Sequence, residues 1–407
     1  MTPGGQDQPV ERHRPPRWSR DGSVQRVIAA LEAGGAAPRF VGGCVRDWLL
    51  RRPIRDIDVA TPAEPGRVVA LLRGAGLKVV PTGVEHGTVT AVSDGRAFEI
   101  TTLRRDVETD GRRAVVAFTA DWREDAGRRD FTINALSLAP DGSLYDYFGG
   151  RQDLAARRVR FIGEAAERIA EDHLRLLRFF RFHAWYGRGP LDPAGLAAAT
   201  AAAPLLARLS GERLRAELLR LLEAPRPQAT LRAMARHAIL AAVLPGPLDV
   251  RTLSRLCRLL PRRRDPLLRL AALLSPGAET VEAVAGRLRF SRVERRRLAG
   301  LLDPAGEPDQ PLELRRALHR LGPDLVRDRL LLRAARTPGP LAPPSALAEV
   351  DAWQPLPFPL TGEDLLAAGV PKGPELGRML RALEEQWLAE DRRPDRAALL
   401  QRLTPPG

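Results

Sequence analysis

Two aspartates at i and i+2, in Arg55-Asp56-Ile57-Asp58-Val59, carry the strongest chemical signal in this 407-residue chain. On a strand such residues point to the same face. Two carboxylates facing one way repel each other unless a cation sits between them, and hard divalent ions with oxygen ligands, Mg²⁺ above all, suit such a pair. Shortly before it, Val41-Gly42-Gly43-Cys44-Val45-Arg46-Asp47 reads as a strand running into a helix through two glycines. Glycines let backbone approach a ligand closely, and a helix N-terminus offers unpaired N–H groups to a phosphate. Arg46, on the first turn, could reach the same phosphate. A phosphate cradle beside a metal pair is a constellation for nucleotidyl transfer. Glu99, facing opposite to Phe98 and Ile100 on a strand over 97–102, is a candidate third carboxylate near the metals.

Further along, Arg128 and Arg129 precede Asp130 in Arg128-Arg129-Asp130-Phe131-Thr132-Ile133-Asn134-Ala135. Two arginines are too polar for an ordinary strand entry, and Arg129 is placed to meet a triphosphate. Asp130 and Asn134 offer groups that could bond a ribose 2′-hydroxyl, which distinguishes RNA precursors from DNA ones; turn and helix capping is the alternative. The spacing predicts a helix over 171–186 with two faces. Leu174, Leu177 and Phe180 or Phe182 make an apolar stripe. Asp172, Arg175, Arg178 and Arg181 recur every three residues as one drifting polar stripe, which by itself reads as a solvated, salt-bridged face.

The elements that must position these residues change character along the chain. From Arg39 to about Ala139, short β-prone runs (39–41, 57–60, 78–80, 88–91, 97–102, 115–118, 137–139) alternate with Gly, Asp and Pro turns and with helical patterns over 45–51 and 65–74. This predicts a mixed α/β domain around a small sheet. Beyond about Leu154 the strand signals fade, and Leu, Ala and Arg at helical spacing dominate to the end. Residues 1–22 read as a flexible leader.

Composition narrows the class. Hydrophobic residues at 44% and charged ones at 28% predict a globular protein. Aromatics at 5% argue against an aromatic-rich sandwich or propeller. No apolar run approaches the ~18–20 residues of a membrane span, and Met1–Arg17 does not resemble a secretory signal. Cys44 and Cys257 make neither a disulfide framework nor a metal motif. These features together predict a reduced, cytoplasmic setting. The formal charge of +14 suggests a polyanionic partner, most often nucleic acid. Only Lys78 and Lys372 are lysine; an arginine-rich codon usage would account for that preference, but not for the surplus over acids.

In this order the motifs resemble those of the class II tRNA nucleotidyltransferase and bacterial poly(A) polymerase family. Gly42–Asp47 followed by Asp56-Ile57-Asp58 resembles the first motif, and Arg128–Ala135 the ribose-recognition motif. Asp146-Tyr147-Phe148-Gly149-Gly150 is similar to the short linker, Glu171–Arg181 to the base-recognition helix, and Leu209-Ser210-Gly211-Glu212-Arg213 to the helix start that follows it. The match covers about residues 38–225. A weaker echo at Pro359–Gly362 and Gly369–Gly377 resembles the tail of CCA-adding members.

The resemblance implies an α+β fold. A small mixed-sheet nucleotidyltransferase head (23–150) would be followed by an all-α neck carrying the base-recognition helix (151–223), and by a body (224–340) and tail (341–407) that bind tRNA. It implies attack of a tRNA 3′-hydroxyl on the α-phosphorus of CTP, twice, then of ATP, with pyrophosphate released. Asp56 and Asp58 would hold two Mg²⁺ ions. Gly43, Arg46, Arg129, Asp130, Asn134, Asp172, Arg175, Arg178 and Arg181 would receive the nucleotide. Within that set Asp172 and Arg175 can act as an amino-acid template. Cytosine and adenine present an amino donor beside a ring-nitrogen acceptor, which suits a carboxylate beside a guanidinium. Uracil and guanine present the reverse pattern and would leave buried groups mismatched. Arg178 and Arg181 would face the phosphates or hold Asp172. Residues 106–127, including Thr109-Asp110-Gly111-Arg112, resemble the flexible loop that helps the switch from C to A. Arg262–Arg264 and Arg292–Arg297 could meet tRNA phosphates. None of the six histidines is followed by Asp, so no His-Asp phosphohydrolase motif is present. A poly(A) polymerase, a partial CC- or A-adding enzyme, and a non-catalytic RNA-binding relative are the alternatives. The loop and tail echoes favour CCA addition, and the intact Asp56-x-Asp58 pair favours catalysis.

Overall fold

A computed structural model describes residues 7–80, 83, 85, 87–109, 114–303, 311–340 and 344–403. The chain forms two compact units, Met1–Leu244 and Pro245–Gly407. The first is α+β and the second is built of helices, as the sequence predicts.

Eight strands of the first unit form one sheet. Its members are β1 (Glu11–Arg12), β2 (Arg39–Val41), β3 (Asp58–Thr61), β4 (Lys78–Val80), β5 (Thr88–Ser93), β6 (Arg96–Thr102), β9 (Ser137–Leu138) and β10 (Ser143–Tyr145), while β7 (Arg104–Thr109) and β8 (Ala114–Phe118) pair with each other as a separate hairpin. The order is β1-β10-β9-β2-β3-β6-β5-β4, antiparallel throughout except for the parallel pair β3 and β6. Alternation builds the two faces. Val89, Ala91, Phe98 and Ile100 are buried, and α1 (Gly22–Ala33) and α3 (Pro65–Gly74) pack against β5 with Leu31 and Leu72 wholly enclosed. Burying each such side chain is worth about 1.5–3 kcal/mol. Between these helices lies α2 (Gly43–Leu49), which leaves β2 through Gly42.

From residue 7 onward the segment predicted as a leader departs from that expectation, residues 1–6 lying outside the described residues. Glu11 and Arg12 pair with Leu144 and Ser143, Trp18 sets its ring 4.8 Å from Phe40, and His13 lies edge-on to Trp48 at 5.1 Å. A Cβ added at Gly142 would lie 1.9 Å from the His13 carbonyl oxygen, so this turn admits the incoming chain only as glycine. A two-residue strand is too short to show alternation, which is why its polar sequence reads as coil.

Six short helices lead out of the sheet and through the neck: α4 (Trp122–Gly127), α5 (Gly150–Ala155), α6 (Ala165–Glu171), α7 (Leu174–Tyr186), α8 (Pro193–Ala202) and α9 (Gly211–Leu222). The predicted helix over 171–186 is therefore two elements. Asp172 is extended between them (φ −152°, ψ 107°), and its carboxylate accepts from the Leu174 N–H at 3.1 Å. The buried face of α7 is aromatic: Phe131 stands 4.9 Å from Phe161 and 5.1 Å from Phe182, and Phe161 stacks on Phe179 at 5.4 Å. Two further helices, α10 (Gln228–Arg236) and α11 (Ile239–Val243), belong to this unit. They extend it past the expected boundary at 223, since His183 of α7 bonds Thr230 of α10 at 2.9 Å and Leu231 and Met234 are buried. The predicted loop over 106–127 is the β7–β8 hairpin followed by α4; its tip, Asp110-Gly111-Arg112, lies outside the described residues.

In the second unit, α12 (Val250–Leu259), α13 (Pro266–Leu273), α14 (Ala278–Leu288), α15 (Arg292–Leu302), α16 (Pro311–Leu321) and α17 (Pro323–Arg336) precede four more helices. The arginine clusters predicted to meet RNA divide here. Arg263 and Arg297 turn inward to the buried Asp328, at 2.9 and 3.2 Å, and Arg295 pairs with Glu282 at 2.7 Å. Arg262, Arg264, Arg292 and Arg296 are exposed and form no ion pair among the described residues. Among the described residues no helix is long and apolar enough to cross a membrane.

Candidate active site

The sheet register sets Asp58 beside Glu99, and Asp56, just ahead of β3, adds its charge to theirs. Asp58 pairs with Val41 on one flank and with Glu99 on the other. Ile57 and Val59 are buried on the opposite face, while Asp56 and Glu99 are exposed and Asp58 is half-buried. Burial pushes the Asp58 carboxyl above its usual range, the charges of Glu99 and Asp56 push it further, and Arg129 offsets them only in part. Among the described residues, no group of three or more His, Cys, Asp or Glu side chains closes into a complete metal cage. The acids form an open edge of negative charge instead.

Arg129 stands beside the glycine turn. Gly42 has φ +69°, and a Cβ there would lie 3.2 Å from Arg129 Nη1, so glycine admits both the turn and the guanidinium. That guanidinium also donates to the Asn134 carbonyl at 3.3 Å and to Asp125 at 3.2 Å. Arg128 holds the other oxygen of Asp125 at 2.9 Å. Burial alone would push the Asp125 carboxyl up, but Arg129 and Arg128 outweigh it and hold it below the usual range.

A chain of charge-assisted hydrogen bonds joins residues that are distant in sequence. Arg46, only 7% exposed, donates to Asn134 Oδ1 at 2.6 Å, to Tyr186 OH at 2.6 Å and to Asp47 at 2.8 Å. Asn134 Nδ2 donates to Asp130 Oδ1 at 2.9 Å, and Arg178 grips Asp130 Oδ2 with Nε at 2.7 Å and Nη2 at 2.6 Å. Burial raises the Asp130 carboxyl, yet Arg178, Asn134 and the Phe131 N–H more than reverse it, so it is ionised well below the usual range. Arg46 thus meets Asn134 before any ligand.

Asp172 and Arg175 flank the start of α7. Asp172 is held by Arg213 of α9, whose Nη2 reaches its two oxygens at 2.9 and 2.7 Å. Arg175 pairs with Glu171 and donates to the Arg128 carbonyl at 3.1 Å. The expectation that Arg178 or Arg181 holds Asp172 is not met: Arg178 turns to Asp130, and Arg181 to the buried Glu217. Arg213 and Glu217 were missed as site residues. Their signal was present, because i and i+4 on α9 share a face and place one positive and one negative charge opposite α7. Asp125 and Tyr186 gave no comparable signal.

Comparison with known proteins accords with this geometry. The family model of the poly A polymerase head domain matches residues 38–160, and that of the probable RNA and SrmB-binding site of polymerase A matches residues 190–249. The human mitochondrial CCA tRNA nucleotidyltransferase 1 is 36% identical over 386 residues, covering 86% of this chain and 82% of that protein. A CCA-adding enzyme of Levilactobacillus brevis is 33% identical, covering 88% and 91%. The crystal structure of the Bacillus stearothermophilus CCA-adding enzyme in complex with CTP superimposes with a TM-score of 0.71 at 30% identity, covering 91% of this chain and 97% of that one.

Proposed function

Because the chain belongs to the CCA-adding tRNA nucleotidyltransferases, we propose that it completes the 3′ end of tRNA by adding C, C and A from CTP and ATP without a nucleic-acid template. The 3′-hydroxyl attacks the α-phosphorus, and the bond to the leaving pyrophosphate breaks. The observation that carries this reading is the open carboxylate edge of Asp56, Asp58 and Glu99 facing Arg129 at the Gly42 turn.

The donor set fits Mg²⁺. Its ligands are hard oxygens, two converging aspartates leave coordination positions for phosphate oxygens, and the raised Asp58 carboxyl marks a place where a cation relieves repulsion. Asp56 and Asp58 would hold two such ions, which would supply charge neutralisation at the attacking and leaving oxygens. Arg129 and the Gly42–Gly43 backbone receive the triphosphate. Asp130 and Asn134, kept rigid by Arg178 and Arg46, present a fixed pair of polar groups to the ribose. Arg175 donates to the ring nitrogen of C or A, and Asp172 accepts from the amino group. The second unit supplies the RNA-binding body and tail. Both cysteines are buried and neither is in a disulfide among the described residues, and burial raises the Cys44 thiol to about 12, which supports the reading of a reduced, cytoplasmic setting.

Incubation with tRNA lacking CCA, one labelled nucleotide at a time, tests the assignment. The expected product gains two C from CTP alone, gains A only after them, and stops there. A long adenylate ladder with excess ATP would move the chain to poly(A) synthesis.

A further inference from the structure

The far end of α2 gathers positive charge that the nucleotide site does not use. Arg52 follows α2, Arg157 follows α5 and Arg188 follows α7. Arg52 Nη2 donates to the Trp185 carbonyl at 3.1 Å, and its guanidinium lies 4.7 Å over the Tyr186 ring. Three residues past Trp185, the Arg188 N–H donates to the Arg157 carbonyl at 2.8 Å. Three helix ends therefore bring three arginines together. Arg188 is exposed, Arg52 and Arg157 are half-buried, and none of the three forms an ion pair among the described residues. Burial, then Arg188 and Arg52, lowers the Arg157 pKa, so the three charges feel one another.

A cation near a helix C-terminus is favoured by the helix dipole. That explains each arginine singly, but not their convergence without an ion pair, which costs Coulomb energy; the carboxylate of Asp47, beside Tyr186, is engaged by Arg46 at 2.8 Å. An anion placed among them reverses that cost. The half-buried indole of Trp185, 5.8 Å from the Arg52 guanidinium, adds an aromatic face of the kind single-stranded RNA stacks on. None of the three arginines is among the nucleotide residues named above, although the cluster adjoins them. Tyr186 stands between them, with Arg46 over its ring at 4.1 Å and Arg52 at 4.7 Å. Along α2, Gly43 lies roughly 10 Å from the helix's other end, at about 1.5 Å per residue.

We propose that Arg52, Arg157 and Arg188 form a binding site for a backbone phosphate of the RNA substrate, beside and distinct from the nucleotide site. The proposal rests on the reading of the chain as a tRNA nucleotidyltransferase. Free phosphate or pyrophosphate shares the same chemistry, so the test separates the two sources. Full-length wild type, Arg188→Gln, and the double variant Arg157→Gln/Arg188→Gln are compared for binding of tRNA lacking CCA across a salt series. KM for tRNA and for CTP, inhibition by pyrophosphate, and melting temperature are measured alongside.

The expected result for the double variant is a roughly tenfold loss of tRNA affinity, with the slope of log Kd against log salt shallower by about one. Arg188→Gln shows the same change to a smaller degree. KM for CTP and kcat at saturating tRNA stay unchanged, and the melting temperature holds or rises. Unchanged tRNA affinity and slope in both variants would overturn the site. So would a lower melting temperature with tRNA affinity intact, which marks helix capping, or an effect confined to pyrophosphate inhibition. A wild type that binds tRNA but adds no nucleotide, with variants that still lose the salt slope, would sink the enzymatic reading and leave this site standing.

Discussion

The first unit keeps its acids in two kinds of company. On β3 and β6, Asp58 sits among other carboxylates and its pKa is raised; below the neck helices, Asp125 and Asp130 sit among arginines and their pKa values are lowered. Both groups pay the desolvation cost of burial, but only the second is compensated within the protein. The difference separates the two roles a buried charge can have. Asp130 and Asp125 are matched in the resting chain and hold donors in place. Asp58 is matched only in part, by Arg129, and in the proposed function a cation would complete the match.

The comparison is broken most severely at Asp58. Asp58→Asn should lower nucleotide addition by about three orders of magnitude or more, since several kcal/mol of charge stabilisation is removed from the transition state. It should leave tRNA affinity near wild type and hold or raise the melting temperature, because a repelling charge goes. A folded-state pKa that is raised contributes stability below the unfolded value and loses it as pH rises through the folded one; the gain of the asparagine variant should therefore grow with pH. Near-normal activity at saturating Mg²⁺ would refute the metal assignment.

Asp130→Ala tests the opposite case. It leaves the Arg178 guanidinium with only the more distant Glu217, at 3.8 Å, and breaking a buried pair of this kind costs up to about 3–5 kcal/mol. Here the folded pKa is depressed. The stabilisation is present above the unfolded value near 3.8 and is lost as pH falls through the lower, folded one. Acid unfolding curves of wild type and variant should converge at low pH and diverge above it. Curves that stay parallel would remove the ion pair from the account.

Smaller effects sharpen the contrast at the start of α7, the end proposed to read the base. Asp172→Ala removes the acceptor for an amino group and the repulsion of an incoming oxygen. At roughly 1.5–3 kcal/mol, the preference for CTP over UTP, and for ATP over GTP, should fall about ten- to a hundredfold in kcat/KM. An unchanged ratio with a lower melting temperature would leave Asp172 as a helix cap. Arg213→Met should act in the same direction but less, about three- to tenfold, by freeing Asp172 without deleting it. A loss of rate with discrimination intact would assign Arg213 to stability alone.

What was legible in the sequence was the local part of this site. The Gly42-Gly43 turn and the Asp56-x-Asp58 pair follow from periodicity of one or two residues, and the register of β3 against β6 then put Glu99 where strand facing had suggested. What was not legible depends on contacts made at a distance. A recurrence of three along 172–181 predicts a shared face but not a partner, and Arg178 finds Asp130 48 residues away. Asp172 was read as helical because its neighbours are; its own carboxylate caps the next helix and so interrupts the run. The shared face of Arg213 and Glu217 on α9 is legible in the sequence, but their partners Asp172 and Arg181 are set only by the packing of α9 against α7.

The pairing of β1 with β10 has a consequence for how the chain is made. The first ordered strand to leave the ribosome meets its partner only after roughly 130 more residues have followed, so closing this edge carries the loop entropy of nearly the whole head. Until then the β1 segment waits with open backbone groups. A molecule shortened by its first fifteen residues would keep every residue of the nucleotide site, yet present β10 as a bare edge on which a neighbouring chain can pair.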